Sequence, residues 1–208
     1  MQLLNKASAS RTLAHTWYLY PLVSVIITFL WMWGFQAFHQ PTTHQSLEIF
    51  FAAEVNNDSF LRNIMKNYDK EVLREITPSY RLPTATGYAA KLQLAINNAD
   101  LLILDEKTMM DFNEHHENFF VEFSSYIKET YLDDGETYYT YNEKSYGLKL
   151  KDKNSDHWLK EYITFDEEQD YYIALGLASK NLGKVLDEKN APYDNALTIL
   201  KYFLHERL

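Results

Sequence analysis

The stretch Trp17–Phe38, WYLYPLVSVIITFLWMWGFQAF, contains no charged side chain. Arg11 is the last charged residue before this stretch and Glu48 is the first after it, so the uncharged interval exceeds the about 20 helical residues that cross a bilayer core. Aromatic residues cluster at both ends, which is typical of side chains at the two membrane interfaces. The sequence therefore predicts one transmembrane helix. The predicted organisation is a cytoplasmic tail (residues 1–16), the transmembrane helix (17–38), a linker (39–46) and one extracellular domain (47–208).

Basic residues indicate the orientation of the predicted helix. Lys6 and Arg11 precede it, and no Lys or Arg follows it until Arg62. Because cytoplasmic flanks carry the excess of basic residues, the N-terminus is expected in the cytoplasm and the domain outside the cell. A cleaved signal peptide shares the basic start and the apolar run, but this run is long for a signal sequence, and residues 35–37 (FQA) make a poor cleavage site. We therefore expect an uncleaved, single-pass anchor in the cell membrane.

Charge and cysteine content narrow the class of protein. The chain has a formal net charge of −9, and its first 46 residues hold two basic side chains and no acidic one, so the domain carries −11. Such a domain is a poor partner for nucleic acid, whose phosphates require clustered Lys and Arg. The chain has no Cys, which excludes disulfide bonds and a lipid-modified cysteine. Together with abundant Asn, Lys, Tyr and Ile, this composition suggests a low-GC Gram-positive bacterium.

Apolar periodicity in the first half of the domain alternates between strand and helix. Strands are predicted at Leu47–Ala53, Val72–Thr77 and Ala99–Leu104, with helices between them. Pro78 would end the second strand, and Thr84 or Thr86 would cap the second helix. This order favours parallel strands with right-handed crossovers, so the expected fold class is α/β with a single, mostly parallel sheet. Later predictions are helices at Lys107–Phe112 and Asn118–Tyr131, a strand or hairpin at Thr137–Lys151 around Gly147, a strand at Tyr171–Ala178 and a last helix that starts at Pro192.

The segment KLQLAINNADLLILDEKTM, Lys91–Met109, joins a helix to a buried strand and a polar loop. With the strand Tyr146-Gly147-Leu148 and the order of elements, it resembles one lobe of the extracellular solute-binding proteins of bacterial ABC importers, which have the type II periplasmic-binding-protein fold. The resemblance implies a role in solute uptake, with carbohydrate as one class of solute. The chain differs from that family because the domain has room for one lobe, and Leu150–Asp170 stands where a second lobe would be inserted. A transmembrane helix also replaces the usual lipid anchor.

Polar residues follow the predicted strands at the edge where open parallel sheets bind ligands. Aromatic and amide groups there could bind a sugar by stacking and hydrogen bonding. The candidate ligand-binding residues are Glu54, Asn56, Asn57, Tyr80, Arg81, Asp105, Glu106 and Tyr146. Local structure alone would also select several of them, since Asn56–Ser59 can cap a helix and Asp105–Lys107 can start one.

No catalytic motif is recognisable in the chain. It has no G-x-S-x-G nucleophile motif, no phosphate-binding glycine loop and no H-E-x-x-H. His115 and His116 would diverge by about 100° on a helix, whereas metal ligands are normally spaced by three or four residues. We therefore expect no metal, no cofactor and no enzymatic activity. A surface hydrolase that pairs carboxylates such as Asp100, Asp133 and Glu161 is the less favoured alternative.

Tyrosines in the domain and small residues in the helix are the candidate contacts for a protein partner. Tyrosine binds partners at little entropic cost, and small side chains let membrane helices approach closely. The candidates are Tyr138, Tyr139 and Tyr141 in the domain and Ser24, Thr28 and Gly34 in the helix. The expected function is an accessory or receptor component of an ABC importer that binds the permease subunits. Its other expected partner is either a solute, such as a carbohydrate, or a separate solute-binding protein. Residues 17–38 are expected to contact lipid. The alternative is an autonomous surface receptor that binds a glycan or a peptide without transport.

Overall fold

The computed structural model describes residues 16–39, 41–66, 68–69, 72–133, 135–183 and 194–205. The chain divides into two units, one up to Gln40 and one from Pro41 onward. The predicted helix start at Pro192 lies outside the described residues.

The first unit contains helix α1, Leu19–His39. Pro21 lies in its first turn, where a missing amide hydrogen costs little. Leu19–Gln36 is long and apolar enough to cross a membrane, and none of it is buried, unlike the core helix of a soluble domain. Thr28 Oγ1 donates a hydrogen bond to Ser24 O (2.8 Å), so this hydroxyl is satisfied within the helix.

The second unit contains a six-stranded sheet and a separate two-stranded pair. The strands of the sheet are β1 (Ser46–Phe51), β3 (Glu75–Tyr80), β4 (Leu101–Asp105), β5 (Tyr138–Tyr141), β6 (Lys144–Lys151) and β8 (Tyr171–Leu175). Their spatial order is β3-β1-β4-β8-β6-β5. The short strands β2 (Glu54–Val55) and β7 (Ile163–Thr164) form the antiparallel pair.

The large sheet is mixed, so the prediction of a mostly parallel sheet is corrected. β1 is parallel to β3 and β4, but β8 is antiparallel to both β4 and β6, and β5 is antiparallel to β6. Tyr171–Leu175 is buried along its whole length. A strand that is apolar on both faces has the same sequence pattern whichever way its neighbours run, and therefore the pattern did not reveal its direction. The fold class is α/β, as predicted.

Helices cover both faces of the sheet. They are α2 (Ser59–Lys66), α3 (Tyr88–Ile96), α4 (Glu106–Asp111), α5 (His116–Phe119), α6 (Ser125–Tyr131) and α7 (Asn195–His205), with a 3-10 helix at Trp158–Glu161. Side chains of β4 alternate between two apolar clusters, with Leu101 and Ile103 in one and Leu102 and Leu104 in the other. The first cluster packs against α2, α6 and α7, and the second against α3, α4 and α5.

Two predicted boundaries around β3 and α3 are wrong. Pro78 lies inside β3 and does not end it, because β3 is an edge strand, where a residue without an amide hydrogen is tolerated. Gly87 is the N-cap residue of α3, in place of Thr84 or Thr86. Its φ of 82° places it in the left-handed region that glycine adopts without strain.

The predicted helix Asn118–Tyr131 is interrupted at residues 120–124. Phe120 forms an isolated antiparallel bridge with Gly176, which places this segment in extended contact with the end of β8. Ser124 Oγ then accepts a hydrogen bond from Ile127 N (3.5 Å) and begins α6. Contact with the sheet thus overrides the helical spacing of the aromatic residues.

β5 and β6 form a hairpin whose turn lies at Asn142 and Glu143. Both residues have positive φ angles, 50° and 67°, as a type I′ hairpin turn requires. Gly147 lies inside β6, where the strand Tyr146-Gly147-Leu148 was predicted, and it is buried beside Met109 and Tyr139.

Candidate functional site

Phe51, Tyr80 and Asp105 end the parallel strands β1, β3 and β4 at one edge of the sheet, here called the carboxyl edge. The chain passes from β1 to β3 on one side of β1 and then to β4 on its other side. Such a reversal is a topological switch point, beside which open α/β sheets bind ligands. Because β8 is antiparallel to β4 and β6, β8 begins and β6 ends at the same edge.

Asp105 ends β4 at the carboxyl edge with only 4% of its surface exposed. It occupies the N-cap position of α4, yet its side chain makes no capping hydrogen bond. Its Oδ1 atom is buried and has no hydrogen-bond partner among the described residues. A buried acceptor without a donor is costly, and capping does not account for it. Asp105 is therefore a candidate acceptor for a ligand.

Hydroxyl groups lie near this carboxylate. Tyr171 is paired with Asp105 across β8 and β4, and burial, with a smaller contribution from the charge of Asp105, raises the pKa of Tyr171 to about 12. The Tyr88 hydroxyl lies 3.0 Å from Thr108 Oγ1, and burial raises the pKa of Tyr88 as well. Both phenols are therefore neutral at pH 7 and can offer uncharged hydroxyl groups at the carboxyl edge.

The predicted residues that follow β1 have local structural roles. Glu54 pairs with Thr164 across β2 and β7, and Asn56 Nδ2 donates a hydrogen bond to Thr164 Oγ1 (2.8 Å). Asn57 Oδ1 accepts a hydrogen bond from Ser59 N (2.9 Å) at the start of α2. The helix cap that the sequence offered as an alternative is therefore present at Asn57.

Among the predicted residues after β3 and β4, Tyr80 is exposed, whereas Arg81 and Glu106 form hydrogen bonds. Tyr80 ends β3 with 51% of its surface exposed. The Arg81 guanidinium donates a hydrogen bond to Thr86 O, which closes the loop that leads into α3. Glu106 N donates to Asp170 O (2.9 Å), which connects the start of α4 to the residue before β8. The second contact joins the ends of β4 and β8 at the carboxyl edge.

Tyr146 lies near the start of β6, away from the carboxyl edge. It lines a cavity of about 400 Å³ between the α4–α5 connection and the β5–β6 hairpin, here called the His116 cavity. The lining residues are Asn113, Glu114, His116, Glu117, Tyr141, Asn142, Lys144 and Tyr146. This volume falls at the lower end of the range for small-molecule sites, about 300–1,000 Å³.

His116 is packed among aromatic rings and is only 1% exposed. Its ring stacks on Tyr146 at a centroid distance of 5.0 Å and an interplanar angle of 17°. Tyr139, Tyr141 and Phe120 approach it at 5.4, 5.7 and 5.6 Å. Burial lowers the pKa of His116 from its usual value near 6.5, so the imidazole is neutral at pH 7.

The hydrogen bonds of His116 determine which ring nitrogen can accept. Nδ1 lies 3.4 Å from Asn113 O, and a carbonyl oxygen only accepts, so this contact favours the tautomer with hydrogen on Nδ1. Nε2 is then an acceptor, and it has no partner among the described residues. Asn113 is held in place because its Oδ1 accepts a hydrogen bond from Tyr139 OH (2.7 Å).

The tyrosines predicted to bind a partner face two sides of the sheet, and all three are half-buried. Tyr138 lies on the first-cluster side, with the Lys128 ammonium 4.3 Å from its ring centroid. Tyr139 and Tyr141 are two residues apart in the strand, so they point to the same side of β5, and both contact His116. The alternation of side chains is therefore kept, but apolar clusters lie on both sides of the sheet, and Thr140 is the exposed residue of this strand.

The small residues of α1 do not form one stripe. Ser24 and Thr28 are one turn apart and share a side of the helix. Gly34 follows six residues later, about 240° further round, so it lies on a different side.

Lys149 joins the two ends of the connection between β6 and β8, a contact that sequence reasoning missed. Its Nζ lies 2.9 Å from Asp152 Oδ1 and 2.8 Å from Asp170 Oδ2. These hydrogen bonds raise the pKa of Lys149. Burial favours a higher pKa for Asp170, but the hydrogen bonds from Lys149 and Lys153 N outweigh it and hold that pKa below its usual value. The fold brings Lys149 and Asp170 together across 21 positions of sequence, which no local pattern encodes.

Among the described residues, no group of three or more His, Asp or Glu side chains is placed to hold a metal ion. Sequence reasoning also did not single out Asn113, Asn142 and Lys144, which line the His116 cavity. Asn142 in a short polar break between two aromatic runs was the signal that could have located the hairpin end of this cavity. No family model, no curated protein and no solved structure matches this chain.

Proposed function

We propose that this chain is a membrane-anchored extracellular component of an ABC importer, built on one lobe of the solute-binding type. Helix α1 anchors it, and the domain serves outside the cell as an accessory or receptor for permease subunits. The proposed orientation, with the N-terminus in the cytoplasm, is the one that Lys6 and Arg11 favour.

The observation that carries this proposal is the connection between β6 and β8. β6 leads to the carboxyl edge, where a two-lobed solute-binding protein would continue into its second lobe. Residues 152–170 instead return to β8 of the same sheet, and β7 within them pairs with β2. A single lobe has no second wall to close over a solute. The domain is therefore better suited to holding a partner than to capturing solute between two lobes.

The proposal is tested by purifying the full-length protein from its native membrane in mild detergent and identifying the retained proteins by mass spectrometry. Recovery of permease and ATPase subunits supports the importer role, and recovery of the protein alone contradicts it. A variant with Ser24, Thr28 and Gly34 changed to Leu keeps an apolar anchor but removes close helix packing. Lower recovery of the permease with this variant would assign the contact to α1, and unchanged recovery would assign it to the domain.

A second candidate function is an autonomous surface receptor that binds a ligand without transporting it. The His116 cavity favours this candidate, because it offers a site of small-molecule size within the single domain. The two functions are separated by the same purification, since the receptor retains its ligand and no transporter subunit.

A further inference from the structure

The His116 cavity contains hydrogen-bond acceptors that the chain itself leaves unused. Glu114 and Glu117 line it, both are exposed, and neither forms an ion pair with a described residue. His116 lines the same cavity and is buried, and its Nε2 atom accepts no hydrogen bond from the described residues. Three acceptors that have no hydrogen-bond or ion-pair partner among the described residues therefore line one cavity.

Lys144 is the one cation among the lining residues of this cavity, and it is engaged elsewhere. Its ammonium lies 3.8 Å from Glu122 Oε2, and Glu122 is not part of the lining. The charge of Lys144 is thus shared with a carboxylate outside the cavity, and Glu114 and Glu117 leave the cavity electronegative. A cationic ligand is favoured over an anionic one.

Aromatic side chains also line the cavity. Tyr141 and Tyr146 line the cavity and pack against His116. Cations bind over the faces of aromatic rings, and they bind more strongly where water is displaced. A quaternary ammonium would use these faces but would leave the acceptors unpaired, whereas an ammonium with N–H groups satisfies both.

We propose that the His116 cavity binds a small primary amine or diamine, with its ammonium group held by Glu114 and Glu117 beside the faces of Tyr141 and Tyr146. The N–H groups of the ammonium donate hydrogen bonds to the two carboxylates, and the alkyl chain packs on the tyrosine rings. This site is distinct from the carboxyl edge, and it holds whether or not the chain serves an importer.

The proposal is tested by isothermal titration calorimetry of the full-length protein in detergent micelles. The probe is 1,4-diaminobutane, compared with tetramethylammonium, a cation without N–H groups, and with glucose, a neutral ligand rich in hydroxyls. We expect saturable binding of 1,4-diaminobutane at 1:1 stoichiometry, weaker binding of tetramethylammonium and none of glucose. Binding of glucose without 1,4-diaminobutane would overturn the amine assignment, and so would the absence of saturable binding by every probe.

Charge-neutralising variants locate the binding site. The double variant E114Q/E117Q changes two exposed side chains, so the fold is expected to persist, and circular dichroism checks it. Loss of two charge-assisted hydrogen bonds should weaken 1,4-diaminobutane binding by about tenfold or more. The control E168Q removes one carboxylate from the exposed connection between β6 and β8 and should leave binding unchanged. Equal affinity in E114Q/E117Q and the unmodified protein would place the amine outside this cavity and contradict the proposal.

Discussion

Asp100 and Asp105 lie at the two ends of β4, equally buried at 3% and 4% exposure, in opposite surroundings. Asp100 accepts hydrogen bonds from Glu48 N (2.8 Å), Ser179 Oγ (2.6 Å) and Lys180 N (3.2 Å). Asp105 has an Oδ1 atom without a partner among the described residues. The first carboxylate therefore stabilises the fold, and the second is available for another role.

Asparagine substitutions separate these two aspartates. Asp100→Asn places an amide group among donors that need an acceptor, and we expect it to lower the free energy of unfolding by about 2 kcal/mol. Asp105→Asn removes a poorly compensated buried carboxylate and should leave stability unchanged or raise it by about 1 kcal/mol. Chemical denaturation of both variants measures the difference. If Asp105→Asn is as destabilising as Asp100→Asn, Asp105 has a structural role and is no longer a candidate for ligand binding.

We expect the free energy of unfolding to fall in mild acid because of His157. Burial, and secondarily the charge of Lys151, lowers the pKa of His157 to about 4 in the folded protein, against an ordinary value of 6.5 in the unfolded chain. The unfolded chain therefore binds the proton first as pH falls. Stability is complete above about pH 6.5 and decreases toward pH 4, by roughly 1–2 kcal/mol when solvent screening of this half-buried ring is allowed for.

The matched variant for this pH effect is His157→Asn. His157 Nδ1 accepts a hydrogen bond from Leu159 N (3.3 Å) at the start of the 3-10 helix, and Asn can replace that cap without titrating. Urea denaturation at pH 7 and pH 4.5 compares the two proteins. The variant should lose less stability on acidification, and parallel losses in both proteins would exclude His157 as the cause.

The β6–β8 connection depends on Lys149. Lys149→Gln removes the ammonium that bridges Asp152 and Asp170, the latter with only 15% of its side chain exposed. We expect a loss of about 2 kcal/mol and faster hydrogen exchange in residues 152–170, because a half-buried carboxylate loses its counter-ion. Lys160→Gln is the control, since it removes an exposed i,i+4 pair with Asp156 that contributes little. Unchanged exchange in Lys149→Gln would show that β7 pairing alone holds the connection.

Sequence pattern predicted elements better than their arrangement. β4 and α1 were predicted because their apolar runs are long and unbroken. The direction of β8 could not be predicted, since a strand buried on both faces has no distinguishing periodicity. Residues 120–124 have helical spacing of aromatic residues but lie against β6 and β8 through Phe123 and Phe120, and such tertiary contact has no local signal.

Local sequence pattern could locate one of the two candidate sites but not the other. The position of Asp105 was predictable because the residue that ends a buried strand in a β-α-β-α-β unit lies at the carboxyl edge of the sheet. The His116 cavity was not, since it joins the α4–α5 connection to a hairpin about 25 residues later, and such a long-range contact has no local signal. Its residues become a site only when the second half of the chain packs on the first.

The proposed orientation puts the acidic domain outside the cell, and this is testable because the chain has no Cys. Gln93→Cys introduces a thiol on an exposed position of α3, and Ser8→Cys introduces one in the N-terminal segment. With the proposed orientation, a membrane-impermeant maleimide added to intact cells should label the first variant and not the second. Changing Lys6 and Arg11 to Glu removes the basic flank and should lower labelling at position 93 or make it heterogeneous. Labelling at position 8 alone would reverse the proposed topology, and release of the labelled Gln93→Cys protein into the medium would show that the apolar segment is a cleaved signal and not an anchor.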